Sequence, residues 1–223
     1  MKTERKEIRK FVFTVEGETE KLYFEWLQDT INACEESKYN VSIVAKVQQS
    51  PKKYAKTVNA MSTPKITHIC DYESNDDVHV NKFKRILSEL NEANSTIGKK
   101  FRYDLGYSNF TFELWMVLHK NTCNGILTDR TKYLSHINKA YGEHFEVLDH
   151  YKRESDFKRC LSKLCIDDVR QAIHRSKRIM DYKVASGERK EQYKGFEYYK
   201  ENPALTIWKS VEAILQECEL LHV

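Results

Sequence analysis

Glycine and proline are scarce, at 7 and 3 of 223 residues. Turn-rich all-β folds and flexible linkers use both freely, so neither is expected here. No apolar run approaches the roughly 20 residues that cross a bilayer. The opening MKTERKEIRK is charged, with no apolar stretch behind it to act as a signal peptide, and the expectation is a cytoplasmic protein. Cys34, Cys70, Cys123, Cys160, Cys165 and Cys218 form no CxxC pair and have no histidine at zinc spacing, which points to reduced thiols. G-x-G-x-x-G, the P-loop, G-x-S-x-G and H-E-x-x-H are all missing. Dinucleotide and P-loop nucleotide binding, nucleophile-elbow hydrolysis and zincin chemistry are therefore unsupported. A net charge of +4 is mild and does not by itself imply nucleic acid.

What is present is an alternation. Strands are expected at Lys10–Val15, Val41–Val47, Ile66–Cys70 and Arg102–Tyr107, from their β-branched and aromatic runs. Helices are expected between them over Thr19–Ala33, Pro51–Met61 and Val80–Asn94, from apolar residues at helical spacing. Such alternation predicts a mostly parallel sheet of about four strands flanked by helices, an α/β class fold. From Phe110 onward the pattern is helical: Phe110–Lys120, Arg130–Tyr141, Ser155–Leu164, Asp167–Ala185 and Pro203–Leu221, the last capped by Asn202. The chain thus divides into an α/β core over 1–120 and a helical part over 121–223 packed on it, with Ser186–Lys194 as the candidate mobile loop.

Acidic residues stand where such a sheet carries its chemistry. In FVFTVEGETEKLYFEWL, Glu16 ends a strand buried on both faces, and ligands bind outside the carboxyl ends of strands in open α/β sheets. Glu18 and Glu20 are accounted for by a helix N-terminus, which favours negative charge. In ITHICDYESNDD, Asp71, Glu73, Asp76 and Asp77 crowd one loop after a buried strand. Asp71 and Glu73 are two apart on an extended strand end, so their side chains point the same way, which suits two ligands for one Mg²⁺. The alternative is a solvated acidic loop. Glu113, in SNFTFELWMVLHK, lies in a helix apolar nearly all round and needs a partner if buried. A cation, a buried Arg or Lys, or a capping role after Asn109 would each supply one.

Basic residues gather later. Lys152, Arg153, Lys158 and Arg159 precede the helix bearing Arg170, His174, Arg175, Lys177 and Arg178. Helical spacing puts Arg170, His174, Lys177 and Arg178 on its outer face, as either an ordinary solvated surface or a stripe for a phosphate backbone.

Taken together, VEGETEKLYFEWL, ICDYESND and SNFTFELWMVLH resemble the RloB family, with its EGxTExxYF start, aspartate-rich second motif and FELW segment. YKRESDFKRCL, AIHRSKRI and ENPALTIWKSVEAIL are similar to the family's later stretches. The resemblance implies a Toprim-like nuclease core, often encoded beside an ATPase and associated with bacterial defence against phage. It implies that Glu16 serves as an acid/base or metal-side carboxylate, that Asp71 and Glu73 hold Mg²⁺ or Mn²⁺, and that Glu113 is a further acidic ligand. Lys152 and Arg175 fall on basic family positions. Two departures stand out: the second motif reads Asp-Tyr-Glu in place of Asp-x-Asp, which leaves Asp76 or Asp77 as alternative second ligands, and Phe110 and Thr111 replace the usual Pro and Cys.

The expected activity is metal-dependent phosphodiester cleavage of DNA or RNA. Glu16, Asp71, Glu73 and Glu113 are its expected catalytic residues, the same four with Asp76 and Asp77 its metal ligands. Lys152, Arg153, Arg170, Arg175 and Arg178 are its expected nucleic-acid contacts. Two alternatives remain: a catalytically silent or conditionally active effector held by a partner ATPase, and a plain nucleic-acid-binding module. A mere binder has no need of carboxylates at Glu16, Asp71 and Glu113, since anionic groups repel phosphates.

Overall fold

A computed structural model describes residues 6–58, 65–96, 102–125 and 127–221. Four parallel strands form one sheet in the order β2-β1-β3-β4. They are β1 (Ile8–Val15), β2 (Asn40–Val47), β3 (Lys65–Tyr72) and β4 (Arg102–Asn109). The expected α/β architecture is what the chain adopts. Side chains alternate across the sheet as strand geometry requires. Phe13, Val15 and Ile69 face one hydrophobic cluster, while Ile66, Cys70 and Tyr72 face the other. The first cluster takes residues from both sides of residue 120.

Helix α1 (Glu18–Ala33) follows β1, short α2 (Pro51–Ala55) follows β2, and α3 (Asp77–Thr96) follows β3. Ser50 caps α2, its hydroxyl accepting from the Lys53 N–H, and Pro51 opens it as expected. The rest of the predicted Pro51–Met61 helix lies partly outside the described residues.

After β4 come α4 (Glu113–Lys120), a 3₁₀ turn (Arg130–Lys132), α5 (Tyr133–Tyr141), α6 (Leu148–Tyr151), α7 (Glu154–Leu161) and α8 (Ile166–Ala185). A hairpin of β5 (Glu191–Tyr193) and β6 (Phe196–Tyr198) precedes α9 (Ile207–Glu217). Gly106 of β4 leaves room for the Ile69 side chain: a Cβ there would lie 2.5 Å from Ile69 Cδ1, and in ordinary contact at 3.6 Å with the Ile207 Cα of α9.

Three expected boundaries are corrected. Asn109 caps no helix. It is the last residue of β4, its side chain donates to the Lys200 carbonyl at 2.8 Å, and α4 begins at Glu113. Residues 202–206 are not the start of a helix, because they bridge the outer edge of β4. Leu205 pairs antiparallel with Ser108, the Asn109 N–H donates to the Ala204 carbonyl, and the Thr206 N–H donates to the Tyr107 carbonyl. Thr206, not Asn202, sits at the α9 N-cap. Finally, Glu191–Tyr193 of the expected loop is a strand, turned by Lys194 and Gly195, both at positive φ. That is the two-residue hairpin turn whose twist matches the strands.

The other sheet edge is guarded by side chains. Asn32 of α1 takes both the N–H and the carbonyl of Val41, and Gln28 accepts from the Ile43 N–H.

Candidate active site

The chain starts at an inner strand, moves out to β2, then returns to β3 on the other side. Such a reversal opens a crevice at the carboxyl ends of the two inner strands, where α/β proteins bind ligands. Glu16 leaves β1 into that crevice and Asp71 lies at the end of β3. They are joined directly, the Asp71 N–H donating to Glu16 Oε2 at 3.0 Å. The Asp71 carboxylate accepts from the Ser108 hydroxyl of β4 at 2.9 Å.

Two further carboxylates converge there. Glu20, in the first turn of α1, is buried and accepts from the Thr19 hydroxyl at 3.0 Å. Gly17 makes room for it, since a Cβ there would stand 2.9 Å from Glu20 Oε2. Glu113, at the first position of α4, is fully buried and accepts from the Thr111 hydroxyl. The Lys152 ammonium, at the end of α6, sits 3.2 Å from Glu113 Oε1.

These groups feel one another. Burial pushes the Asp71 carboxyl well above the ordinary aspartate value, and repulsion from Glu20, Glu16 and Glu113 adds to it, against the Ser108 hydrogen bond. Burial raises Glu20 as well, with Glu113 reinforcing and Thr19 and Lys152 opposing. Glu16 is raised by burial, against the Asp71 N–H and Lys82. For Lys152 burial acts downward, but attraction to Glu113, Asp71 and Glu20 outweighs it and its value is raised. Like charges brought together out of water behave this way.

Among the described residues, no three His, Cys, Asp or Glu side chains lie close enough to ligate one ion as they stand. Their chemistry nonetheless fits a hard divalent cation, since the donors are all carboxylate oxygens. Glu16 Oε1 and Glu113 Oε1 are buried with no hydrogen-bond partner among the described residues. Each lies instead near an ammonium, Lys82 at 3.5 Å from Glu16 and Lys152 at 3.2 Å from Glu113.

Of the remaining acidic candidates, Glu73 turns toward Lys82, Arg130 and His79, and across the shared Lys82 it repels Glu16. Asp76 caps α3, accepting from the Val78 and His79 N–H groups at 3.0 Å each; the His79 N–H, then the Ser74 and His79 side chains, lower its value. Asp77 is exposed in the first turn of α3.

Of the basic candidates, Arg175 donates to the carbonyls of Leu118 and His119 at 2.6 and 2.9 Å, closing the C-terminus of α4. Arg170 donates to the Leu220 carbonyl and pairs with Asp167 and Glu36. Arg153 and Arg178 are exposed. Glu20 and Lys82 are the members that sequence reasoning passed over. Glu20 was legible as the fifth residue of EGETE, one helical turn beyond Glu16, but the helix N-terminus already explained it.

Among the described residues no helix is long and apolar enough to cross a membrane. A family model described as RloB-like protein matches residues 11–214. No curated protein and no solved structure matches the chain.

Proposed function

The chain belongs to the RloB-like family, and from that premise and its buried carboxylates we propose that it is a metal-dependent nuclease cutting DNA or RNA phosphodiesters, with a Toprim-like core. One observation carries the reading. Glu16, Glu20, Asp71 and Glu113, from three separate stretches of chain, are gathered at the sheet's carboxyl edge with raised values at Asp71, Glu20 and Glu16. Gathering them costs stability and repels phosphate, so a fold has no reason to do it except for a cation.

Asp71, Glu113 and Glu20 would hold Mg²⁺ or Mn²⁺, with Glu16 beside them. When bound, such an ion would polarise the phosphate and make an attacking water more acidic. Lys152 balances part of the excess negative charge and keeps Glu113 oriented. Glu16, its carboxyl raised and one oxygen without a hydrogen bond among the described residues, is suited to take a proton from the attacking water or return one to the leaving oxygen.

A second, compatible reading is an effector whose centre assembles only when triggered, by substrate or by a partner ATPase, since among the described residues no three of these side chains stand ready to ligate one ion. Control by an ATPase and a role in defence against phage rest on the family resemblance. Calorimetric titration with Mn²⁺ tests the centre. Binding that Asp71→Asn abolishes is the expected result, followed by gel-resolved cleavage of single-stranded, duplex and tRNA substrates. Binding unaltered by Asp71→Asn and Glu113→Gln would sink the assignment.

A further inference from the structure

Glu73, two residues beyond Asp71, shares the Lys82 ammonium with Glu16. Its side chain keeps only 19% of its surface, yet cations from two separate elements converge on it. Lys82 of α3 donates to Oε1. Arg130 of the 3₁₀ turn lies 3.5 Å from Oε2, and His79 of α3 lies 3.6 Å from the same oxygen. Lys82 also stands 3.5 Å from Glu16 Oε1, so this nest of positive charge adjoins the catalytic crevice.

We propose that Lys82 and Arg130, with His79, form a seat for a phosphate group of the nucleic-acid strand, and that Glu73 occupies it as an internal stand-in anion. The proposal rests on the nuclease reading of the neighbouring carboxylates, and it places the strand beside them. A carboxylate presents two oxygens to its donors much as a phosphate presents its two non-bridging oxygens, and Arg and Lys serve both. Lys82 and Arg130 are partly exposed, with side chains keeping 35% and 58% of their surface, so a strand can reach them. With the two cations this open to solvent, a better-placed anion can displace the carboxylate. Lys82 is held protonated: burial acts against its charge, but Glu73 and Glu16 outweigh it. Glu73 therefore screens the seat until a phosphate takes its place, and Glu73 is not a metal ligand.

Binding of a fluorescent single-stranded oligonucleotide to the full chain, followed by anisotropy in EDTA, tests this apart from any cleavage. Glu73→Gln should tighten binding several-fold. Lys82→Met and Arg130→Met should each weaken it and flatten the salt dependence by about 0.7 unit, the release expected per single-strand contact. Arg130 is exposed and its variant has no core to disturb. Inorganic phosphate should compete away the affinity that Glu73→Gln gains. A gain untouched by phosphate would overturn the seat, as would Glu73→Gln leaving oligonucleotide affinity unchanged or lowered. Mn²⁺ titration completes the test: Glu73→Gln should leave metal affinity intact, and a clear loss would make Glu73 a ligand. Failure of the nuclease reading shows separately, as Mn²⁺ binding that Asp71→Asn does not alter.

Discussion

Burial, then repulsion from Glu20, Glu16 and Glu113, holds Asp71 well above its ordinary value of 3.8, so ionising it strains the folded chain and not the unfolded one. A carboxyl raised on folding lends stability below the unfolded value and forfeits it as pH climbs through the folded one. Asp71→Asn should therefore raise the stability of the metal-free protein at pH 7 to 8 by about 1 kcal/mol or more, an advantage that fades below about pH 4. Urea melts at several pH values check this. The buried histidines run the other way. Burial lowers His68 to about 3 and His119 to about 4 from 6.5, so both stay neutral in the fold while the unfolded chain takes up protons. His119 donates through Nδ1 to the Trp115 carbonyl, which leaves Nε2 to accept from the Tyr23 hydroxyl. Stability is lost as pH falls from 6.5 toward 4, by about 1.4 kcal/mol per pH unit for each histidine. His119→Gln should remove one such increment from the slope, whatever it does to stability at pH 8.

Elements that meet their neighbours far along the chain are where reading from sequence stops. Helix α8 was expected from Asp167 to Ala185 and spans Ile166–Ala185, because its apolar spacing is local. The role of Arg175 was not legible, since no helical wheel says that α4 will end beside it. That arginine closes two carbonyls, so Arg175→Met should cost about 1–3 kcal/mol in a denaturant melt and leave oligonucleotide salt dependence alone. Arg178→Met, at an exposed position, should show the reverse if the stripe holds phosphate. Glu16, Asp71 and Glu113 were legible because strand ends and an all-apolar helix betray a carboxylate locally. Glu20 was hidden by a sufficient local explanation, and the division of labour between Asp71 and Glu73 depends on where Lys82 and Arg130 fall. The false helix start at Pro203 arose in the same way, because capping residues are a local signal and the pull of β4 on Leu205 is not.

At the scale of the whole molecule, the sheet is the frame that brings the site together, and α9 closes over it. Gly106→Ala should cost about 1 kcal/mol through displacement of the Ile69 side chain, lowering the thermal midpoint. The sheet's two margins are protected differently. Asn32 and Gln28 reach β2 from the helix immediately before it, so that margin is covered almost as soon as it forms. The β4 margin waits for residues far downstream: Tyr107 and Thr206 are 99 positions apart. At ribosomal speeds of about 5–20 residues per second, that separation is roughly 5 to 20 seconds of synthesis. Throughout that interval the nascent chain carries one unclosed strand, and crowded polysomes, not the finished protein, are where neighbouring copies would entangle.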